Sequence, residues 1–319
     1  SQEDGSSYAG LTCKYKVSVV CNNRLYVGNI ERDGKIFGDR MIKSPIGKYN
    51  ILPKSSFVDV APNDGDEITA LSYYKDKLLQ FKRKKVFVIN ISGDYDFIED
   101  TFHDIGVQGQ YSVTSTPYGI VWANQYGCFL YDGEKVENLI EGKIPTSLGY
   151  TNRSISTDTI GGGNRWCANA STGDCVVGYM RDKQTILVNF TKTDTTSPVN
   201  TSGATYNFPT KSWSLLYSIW NNEYANTNTG DMSNMVTNEN GDIMFYHRSS
   251  STSQQAEDAA FINTIRKWTH EPNDNLSTKQ AYFTTKDITF GTINVLKKLY
   301  RVYVTYRVKT DGTDSGVKV

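Results

Sequence analysis

The sequence predicts an all-β fold built from a repeated unit of short strands joined by tight turns. Aromatic residues are plentiful, with 21 Tyr, 13 Phe and 5 Trp, and such residues suit the half-buried faces of strands. Short β-rich runs also recur between turn-forming residues along the chain. No segment carries a sustained apolar stripe at helical spacing, and the best helical candidate, residues 253–260, is short and polar. Low helix content is therefore expected.

The clearest copies of the unit lie in the first half of the chain. Residues 17–30 form two strand-like runs around a turn at Asn22 and Asn23. Residues 68–91 and 111–139 each contain three such runs in succession. The turns include Pro-x-Gly and Asp-Gly sequences, which favour hairpins because glycine readily adopts the positive φ that these turns require. Each copy is thus expected to be an antiparallel meander.

Later copies are weaker and are interrupted by polar insertions near residues 191–203 and 221–233. Their strand-like runs cover residues 175–179, 185–190, 205–208, 213–216, 235–246, 261–268, 281–290 and 299–308. A unit of roughly 40 to 50 residues matches the four-stranded blade of a β-propeller. The sequence therefore predicts a propeller of about five or six blades, six fitting better. A β-sandwich is the alternative, but it does not explain why the unit of short strands and tight turns recurs along the chain.

The predicted domain organisation has three parts. Residues 1–14 form a polar N-terminal segment, residues 15–308 form the propeller, and residues 309–319 begin a further strand or linker. We expect the chain to be a fragment of a longer protein, because it has no initiator methionine and stops within a strand-like run. No membrane-spanning segment is predicted, since no apolar run approaches the roughly 18 residues that a bilayer requires.

Charge and cysteine content exclude several classes of function. The 34 basic and 34 acidic residues cancel, so there is no long-range field to steer the chain onto nucleic acid or an anionic membrane. A neutral surface also suits self-association. The five cysteines, Cys13, Cys21, Cys128, Cys167 and Cys175, are odd in number and lack CxxC spacing. We expect reduced thiols rather than a disulfide framework or a zinc site, with a Cys167–Cys175 pair as the alternative.

The residues that could carry catalysis do not form a recognisable motif. His103, His247 and His270 lie far apart in the sequence and are expected to be surface or hydrogen-bonded histidines. Three consecutive glycines begin at Gly161, but no helix follows to bind a phosphate, so we expect a loop. Glu99 and Asp100 would need a second carboxylate across a cleft for glycosidic chemistry. No catalytic or cofactor-binding residue is assigned, and the protein is not expected to be an enzyme.

Two acidic stretches and one basic stretch are the remaining candidates for ion binding. Residues 64–67 and 94–96 place carboxylates close together, but neither follows the twelve-residue calcium loop, so both are expected to cap turns. The basic run at residues 82–85 lies between two apolar runs and is expected to be a solvated hairpin turn. No metal site is assigned.

One stretch, residues 22–60, resembles the opening blade of tail-nozzle or packaged-DNA stabilisation proteins of short-tailed bacteriophages. The shared features are Arg-Leu-Tyr-Val-Gly at residues 24–28, Gly-Asp-Arg-Met at 38–41 and the Ser44-Pro45 turn. The similarity continues through residues 67–91, 106–133, 284–291 and 297–307, whereas residues 221–277 match nothing in that group. These are strand and turn patterns, so they say more about architecture than about function.

The resemblance implies a structural virion protein of the phage tail, assembled in the host cytoplasm. It would form a homo-oligomeric ring of about six identical subunits below the portal and adaptor, in contact with other tail proteins. Its channel would retain packaged double-stranded DNA and pass it at infection, without sequence specificity. The alternative from another functional class is a propeller that binds or cleaves glycans at the host surface.

Overall fold

Antiparallel β-strands account for nearly all regular structure in the part of the chain that the computed structural model describes. The described residues are 13–32, 34–53, 55–62, 64–93, 95–144, 166, 175–190, 203–216, 230–232, 235–249 and 264–268. They lie within one unit, Ser1–Thr269, and the second unit, His270–Val319, is outside them. Apart from strands, they contain a single 3₁₀ turn at Gln110–Ser112, and no helix among them could span a membrane.

The first three sheets each contain four strands paired in sequence order. The first sheet comprises β1 (Cys13–Cys21), β2 (Arg24–Arg32), β3 (Lys35–Lys43) and β4 (Phe57–Asp59). The second comprises β5 (Ile68–Tyr74), β6 (Lys77–Lys82), β7 (Lys85–Asn90) and β8 (Phe97–His103). The third comprises β9 (Val113–Thr116), β10 (Gly119–Asn124), β11 (Gly127–Tyr131) and β12 (Val136–Asn138). All neighbouring pairs are antiparallel, which confirms the predicted meanders.

The fourth sheet repeats this order, and the fifth departs from it. The fourth comprises β13 (Cys175–Met180), β14 (Thr185–Phe190), β15 (Gly203–Asn207) and β16 (Ser212–Leu216). The fifth contains β17 (Gly230–Met232), β18 (Val236–Thr237), β19 (Ile243–Ser249) and β20 (Thr264–Lys267). His247 pairs with both Met232 and Thr264, and Met244 pairs with both Val236 and Lys267. Strands β17 and β18 therefore share one edge of β19, and the described sheet is three strands wide.

The first four sheets are joined through their first strands, and the fifth sheet joins the fourth through β18. Strand β1 lies against β5, β5 against β9, β9 against β13, and β13 against β18. Each junction buries apolar side chains from both sheets, such as Met41 with Ile68 and Phe81 with Trp122. Gly28 permits the first junction, because a Cβ there would lie 3.2 Å from a methyl carbon of Ile68. Burial of this apolar surface is the main favourable contribution to holding the sheets together.

The sheets share a common orientation, with two distinct ends. At one end, here called the turn end, turns of neighbouring sheets touch: Asn22 Nδ2 donates to Asp76 Oδ1 at 3.4 Å, and the ring of Tyr118 stacks on Phe208 at 4.1 Å. The opposite end, here called the loop end, carries the turns between second and third strands and the connections between sheets. The polar insertion predicted near 191–203 joins β14 to β15 at the loop end, whereas the one near 221–233 overlaps β17.

Candidate functional site

A cluster of charged side chains joins the first two sheets at the loop end. Its centre is Lys82, the last residue of β6, whose side chain has 0% of its surface exposed. The Lys82 ammonium donates to Asp39 Oδ1 at 2.7 Å, to Asp64 Oδ1 at 2.9 Å and to the carbonyl oxygen of Ala61 at 3.1 Å. Three acceptors match the three N–H donors of a lysine. The ammonium is therefore fully hydrogen-bonded although it is out of contact with water.

The second carboxylate oxygen of Asp64 binds another strand of the second sheet. Lys85 Nζ, on β7, donates to Asp64 Oδ2 at 3.1 Å. Burial opposes ionisation of Asp64, but the hydrogen bonds from Lys82 and Lys85 outweigh it and hold the pKa of this carboxyl below its usual 3.8. Asp64 is thus an ionised bridge between β6 and β7.

Glu67 extends the cluster to the first two strands of the first sheet. Its Oε1 accepts from Lys16 on β1 at 3.1 Å and from Arg83 at 2.6 Å, while its Oε2 accepts from Asn29 Nδ2 at 2.8 Å. Burial raises the pKa of Glu67, and the bonds from Asn29, Lys16 and Arg83 lower it by more, so the pKa falls below its usual 4.5.

Asp66 caps the hairpin turn between β6 and β7. Its Oδ1 accepts from the backbone N–H of Arg83 at 3.1 Å, and its Oδ2 accepts from the backbone N–H of Lys84 at 3.0 Å. The sequence-based prediction that residues 64–67 cap a turn is confirmed at this residue. We refer to Lys16, Asn29, Asp39, Asp64, Asp66, Glu67, Lys82, Arg83 and Lys85 together as the charged cluster.

The prediction that residues 82–85 form a solvated hairpin turn is confirmed at the exposed residues Arg83 and Lys84, between β6 and β7, and is wrong at Lys82. Lys82 is buried, and Arg83 and Lys85 are paired with carboxylates of the connection between β4 and β5. Alternation along β6 places Lys82 on the face of the strand that turns toward the first sheet, where Asp39 lies. The pattern of four basic residues could not reveal this, because the acidic partners are distant in sequence.

The arrangement of the charged cluster suits a structural role better than a chemical one. Each of its carboxylates already accepts bonds from cations or backbone amides, so none is poised as a free acid or base. Within the described ranges, no group of three or more His, Cys, Asp or Glu side chains could hold a metal ion.

A second feature is a set of exposed apolar side chains near the outer edge of the first two sheets. Lys43, at the end of β3, binds Asp96 Oδ2 at 2.8 Å and so joins the segment after β3 to the segment before β8. Tyr95 is 85% exposed and Phe97 is 55% exposed. We call the exposed apolar residues of these two segments and of the strands β4 and β8 that follow them the aromatic corner; they are Ile46, Tyr49, Phe57, Tyr95, Phe97 and Ile98. Large exposed apolar side chains are candidates for an interaction surface where they form a contiguous patch.

The side chains of three cysteines are described, and all three are buried: Cys21, Cys128 and Cys175. The prediction of reduced thiols is confirmed at Cys21 and Cys128, whereas Cys167 lies outside the described residues. Burial, followed by the nearby Asp96 charge, raises the pKa of the Cys21 thiol to about 12. Burial likewise raises the pKa of the Cys128 thiol. These thiols are therefore protonated and unreactive at neutral pH.

The structure does not bring the other sequence candidates together. His103 is exposed at the end of β8, His247 lies in β19, and His270 is outside the described residues. The glycine run at 161–163 and residue Asp94 are also outside them. Glu99 accepts bonds from Lys77 and from Asn90 Nδ2, and Asp100 Oδ1 accepts from the backbone N–H of Thr101. Within the described ranges, these bonds join Glu99 and Asp100 to a lysine, an asparagine and a backbone amide, and not to a second carboxylate.

Comparison with known proteins adds little to this description. No protein-family model and no curated protein matches the sequence. Among solved structures, the extracellular domain of a putative hybrid two-component system from Bacteroides thetaiotaomicron aligns with 80% of this chain at 11% identity and a TM-score of 0.39. Kluyveromyces lactis Hsv2 aligns with 63% at 11% identity and a TM-score of 0.29.

An endo-arabinase from Bacteroides thetaiotaomicron is also similar, covering 81% of this chain and 94% of the enzyme at 11% identity, with a TM-score of 0.30. The chain spans only 27% of the two-component domain and 60% of Hsv2. At these TM-scores, none of the three similarities carries an argument about fold or function.

Proposed function

We propose that the sheets are blades of a β-propeller with about six blades. The support is the sequential joining of four sheets through their first strands and of the fifth sheet through β18, since inner strands of neighbouring blades lie side by side in a propeller. A sandwich packs two sheets face to face, and five sheets joined in series do not suit that plan.

We further propose that the protein is a structural component of a phage tail, a ring subunit that surrounds the DNA channel. The observation that carries this proposal is the aromatic corner, an exposed apolar surface on a scaffold whose central charged groups are used internally. The resemblance of residues 22–60 to tail-nozzle proteins also supports a role in a phage tail. A ring subunit uses two different complementary surfaces, because head-to-tail contacts must close on rotation.

A chain without net charge suits both the close packing of subunits in such a ring and the passage of DNA through its channel. Subunits without net charge can pack closely, since self-repulsion is small. A channel wall with few basic side chains lets DNA slide, because each phosphate contact adds salt-dependent affinity. In this proposal the ring retains DNA by geometry rather than by tight binding.

The oligomeric state of the full chain tests this role. We expect analytical ultracentrifugation to show rings of about six subunits that dissociate on the double change Tyr95→Ser and Phe97→Ser, with each subunit still folded. Tyr126→Ser is the matched control, because Tyr126 is 58% exposed but lies in the β10–β11 turn, away from the aromatic corner. The control should leave the rings intact.

A wild-type chain that stays monomeric at every concentration would overturn the ring proposal. Release of sugars from host polysaccharide by the purified chain would instead support the alternative, a glycan-cleaving host-surface protein.

A further inference from the structure

We propose that the charged cluster is an acid-sensitive latch that fastens the first sheet to the second. This inference rests on the contacts of Lys82, Asp39, Asp64 and Glu67 and does not depend on the proposed function. It assigns a conformational role to residues that form no binding site.

The latch involves three strands of the first sheet and two strands of the second. From the first sheet, Lys16 on β1, Asn29 on β2 and Asp39 on β3 take part. From the second sheet, Lys82 on β6 and Lys85 on β7 take part. The connection between β4 and β5 supplies the carboxylates in between. Opening the cluster would therefore loosen one whole sheet rather than one loop.

Charge balance makes the latch sensitive to acid. The acidic members, Asp39, Asp64, Asp66 and Glu67, equal in number the basic members, Lys16, Lys82, Arg83 and Lys85. Among the described residues, the ring of Phe87 also lies near the Lys82 ammonium, 5.7 Å away, and is neutral. Protonation of the carboxylates would leave Lys82 as a buried cation without counter-charge, which is strongly destabilising.

The direction of the pH effect follows from the carboxyl groups. The pKa values of Asp64 and Glu67 are both lower in the folded chain than their ordinary values of 3.8 and 4.5. Their contribution to stability is thus complete at neutral pH and is lost as the pH falls through the lowered pKa values. The latch should hold at pH 7, weaken as the pH falls below the ordinary carboxyl pKa values, and open as the pH passes through the lowered ones.

Hydrogen exchange of the full chain, read by mass spectrometry and corrected for intrinsic rates, tests the latch. We expect amides of β1–β3 and β6 to lose protection as the pH falls from about 7 to about 2.5, while β10 and β11 of the third sheet keep theirs. Asp64→Asn should lower protection of β3 and β6 about tenfold or more already at pH 7. Lys82→Met removes the buried cation. In this variant, the protection of β1–β3 and β6 should depend on pH in the same way as the protection of β10 and β11.

Glu31→Gln is the matched control, because it removes the same charge from an exposed pair with Lys14. It should behave as the wild type. Equal loss of protection in the first and third sheets at each pH would overturn the latch, as would an Asp64→Asn variant that matches Glu31→Gln. If Asp64→Asn fails to fold, the wild-type comparison between the sheets decides alone.

Discussion

Three side chains on one face of β6 show how differently neighbouring positions contribute to the junction of the first two sheets. Leu78 packs in the apolar core between them. Lys82 is paired with two carboxylates. Gln80, between the two, is fully buried, and neither atom of its amide group has a hydrogen-bond partner among the described residues. A buried polar group without a partner destabilises the folded state.

Replacement of Gln80 by an apolar residue of similar length should therefore stabilise the protein. We expect Gln80→Met to raise the free energy of unfolding by about 1 kcal/mol, measured by denaturant titration. Gln110→Met is the matched control, because the Gln110 amide accepts from the backbone N–H of Leu71 and donates to its carbonyl oxygen. That variant should lose about 1 kcal/mol or more. A loss of stability in both variants would contradict the unpartnered state of Gln80.

Gly106 permits the chain to pass close to the turn that carries the charged cluster. A Cβ at this position would lie 2.2 Å from the carbonyl oxygen of Lys82 and 2.5 Å from the carbonyl carbon of Arg83. We expect Gly106→Ala to destabilise the protein by about 2 kcal/mol or more, measured by thermal unfolding. Gly93→Ala is the control, since a Cβ there meets nothing within 4 Å. Equal melting temperatures for the two variants would show that the close approach does not exist.

At the scale of elements, burial decided which strands could be predicted. The runs assigned to β5, β6, β7, β10 and β11 have mostly buried side chains, and their β-rich apolar composition was visible in the sequence. Outer strands were missed: β8 is largely exposed, and β4 and β12 have three residues each. A strand that is solvated on both faces carries no alternation to detect.

The candidate site was harder to predict than the strands. The acidic run at 64–67 and the basic run at 82–85 were both noticed, but as separate turns. Their meeting depends on the packing of two sheets, with Lys82 and Asp39 43 residues apart. The alternation of apolar residues along a strand indicates on which face of the sheet a residue lies. It does not indicate which distant residue the side chain contacts. The aromatic corner was missed for a similar reason, since exposure of Tyr95 and Phe97 depends on the outer position of β8.

The turn between β1 and β2 was predicted from its two asparagines, and its geometry explains their presence. Asn22 and Asn23 have φ values of 46° and 56°, in the left-handed region that asparagine and glycine tolerate best. We expect Asn23→Val to lower the free energy of unfolding by about 1 to 2 kcal/mol in denaturant titration. Asn23→Gly should leave it unchanged or slightly higher. Equal stability of the two variants would contradict a positive φ at residue 23.

At the scale of the whole molecule, the two ends of the sheets differ in what they expose. At the turn end, turns touch from sheet to sheet, as Asn22 touches Asp76 and Tyr74 OH donates to the carbonyl oxygen of Pro117. This end also carries the 13-residue connection 44–56 between β3 and β4 and the aromatic corner. The loop end carries the charged cluster, whose side chains bind each other. We therefore expect partner-specific contacts of a ring subunit to concentrate at the turn end.

The central proposal is a propeller subunit that closes into a ring with copies of itself. Electron cryo-microscopy of the purified full chain at high concentration tests it most directly. We expect rings of about six identical subunits, each with its sheets arranged radially and joined through β1, β5, β9 and β13. Single subunits at every concentration, or subunits whose sheets face each other in two layers, would contradict it.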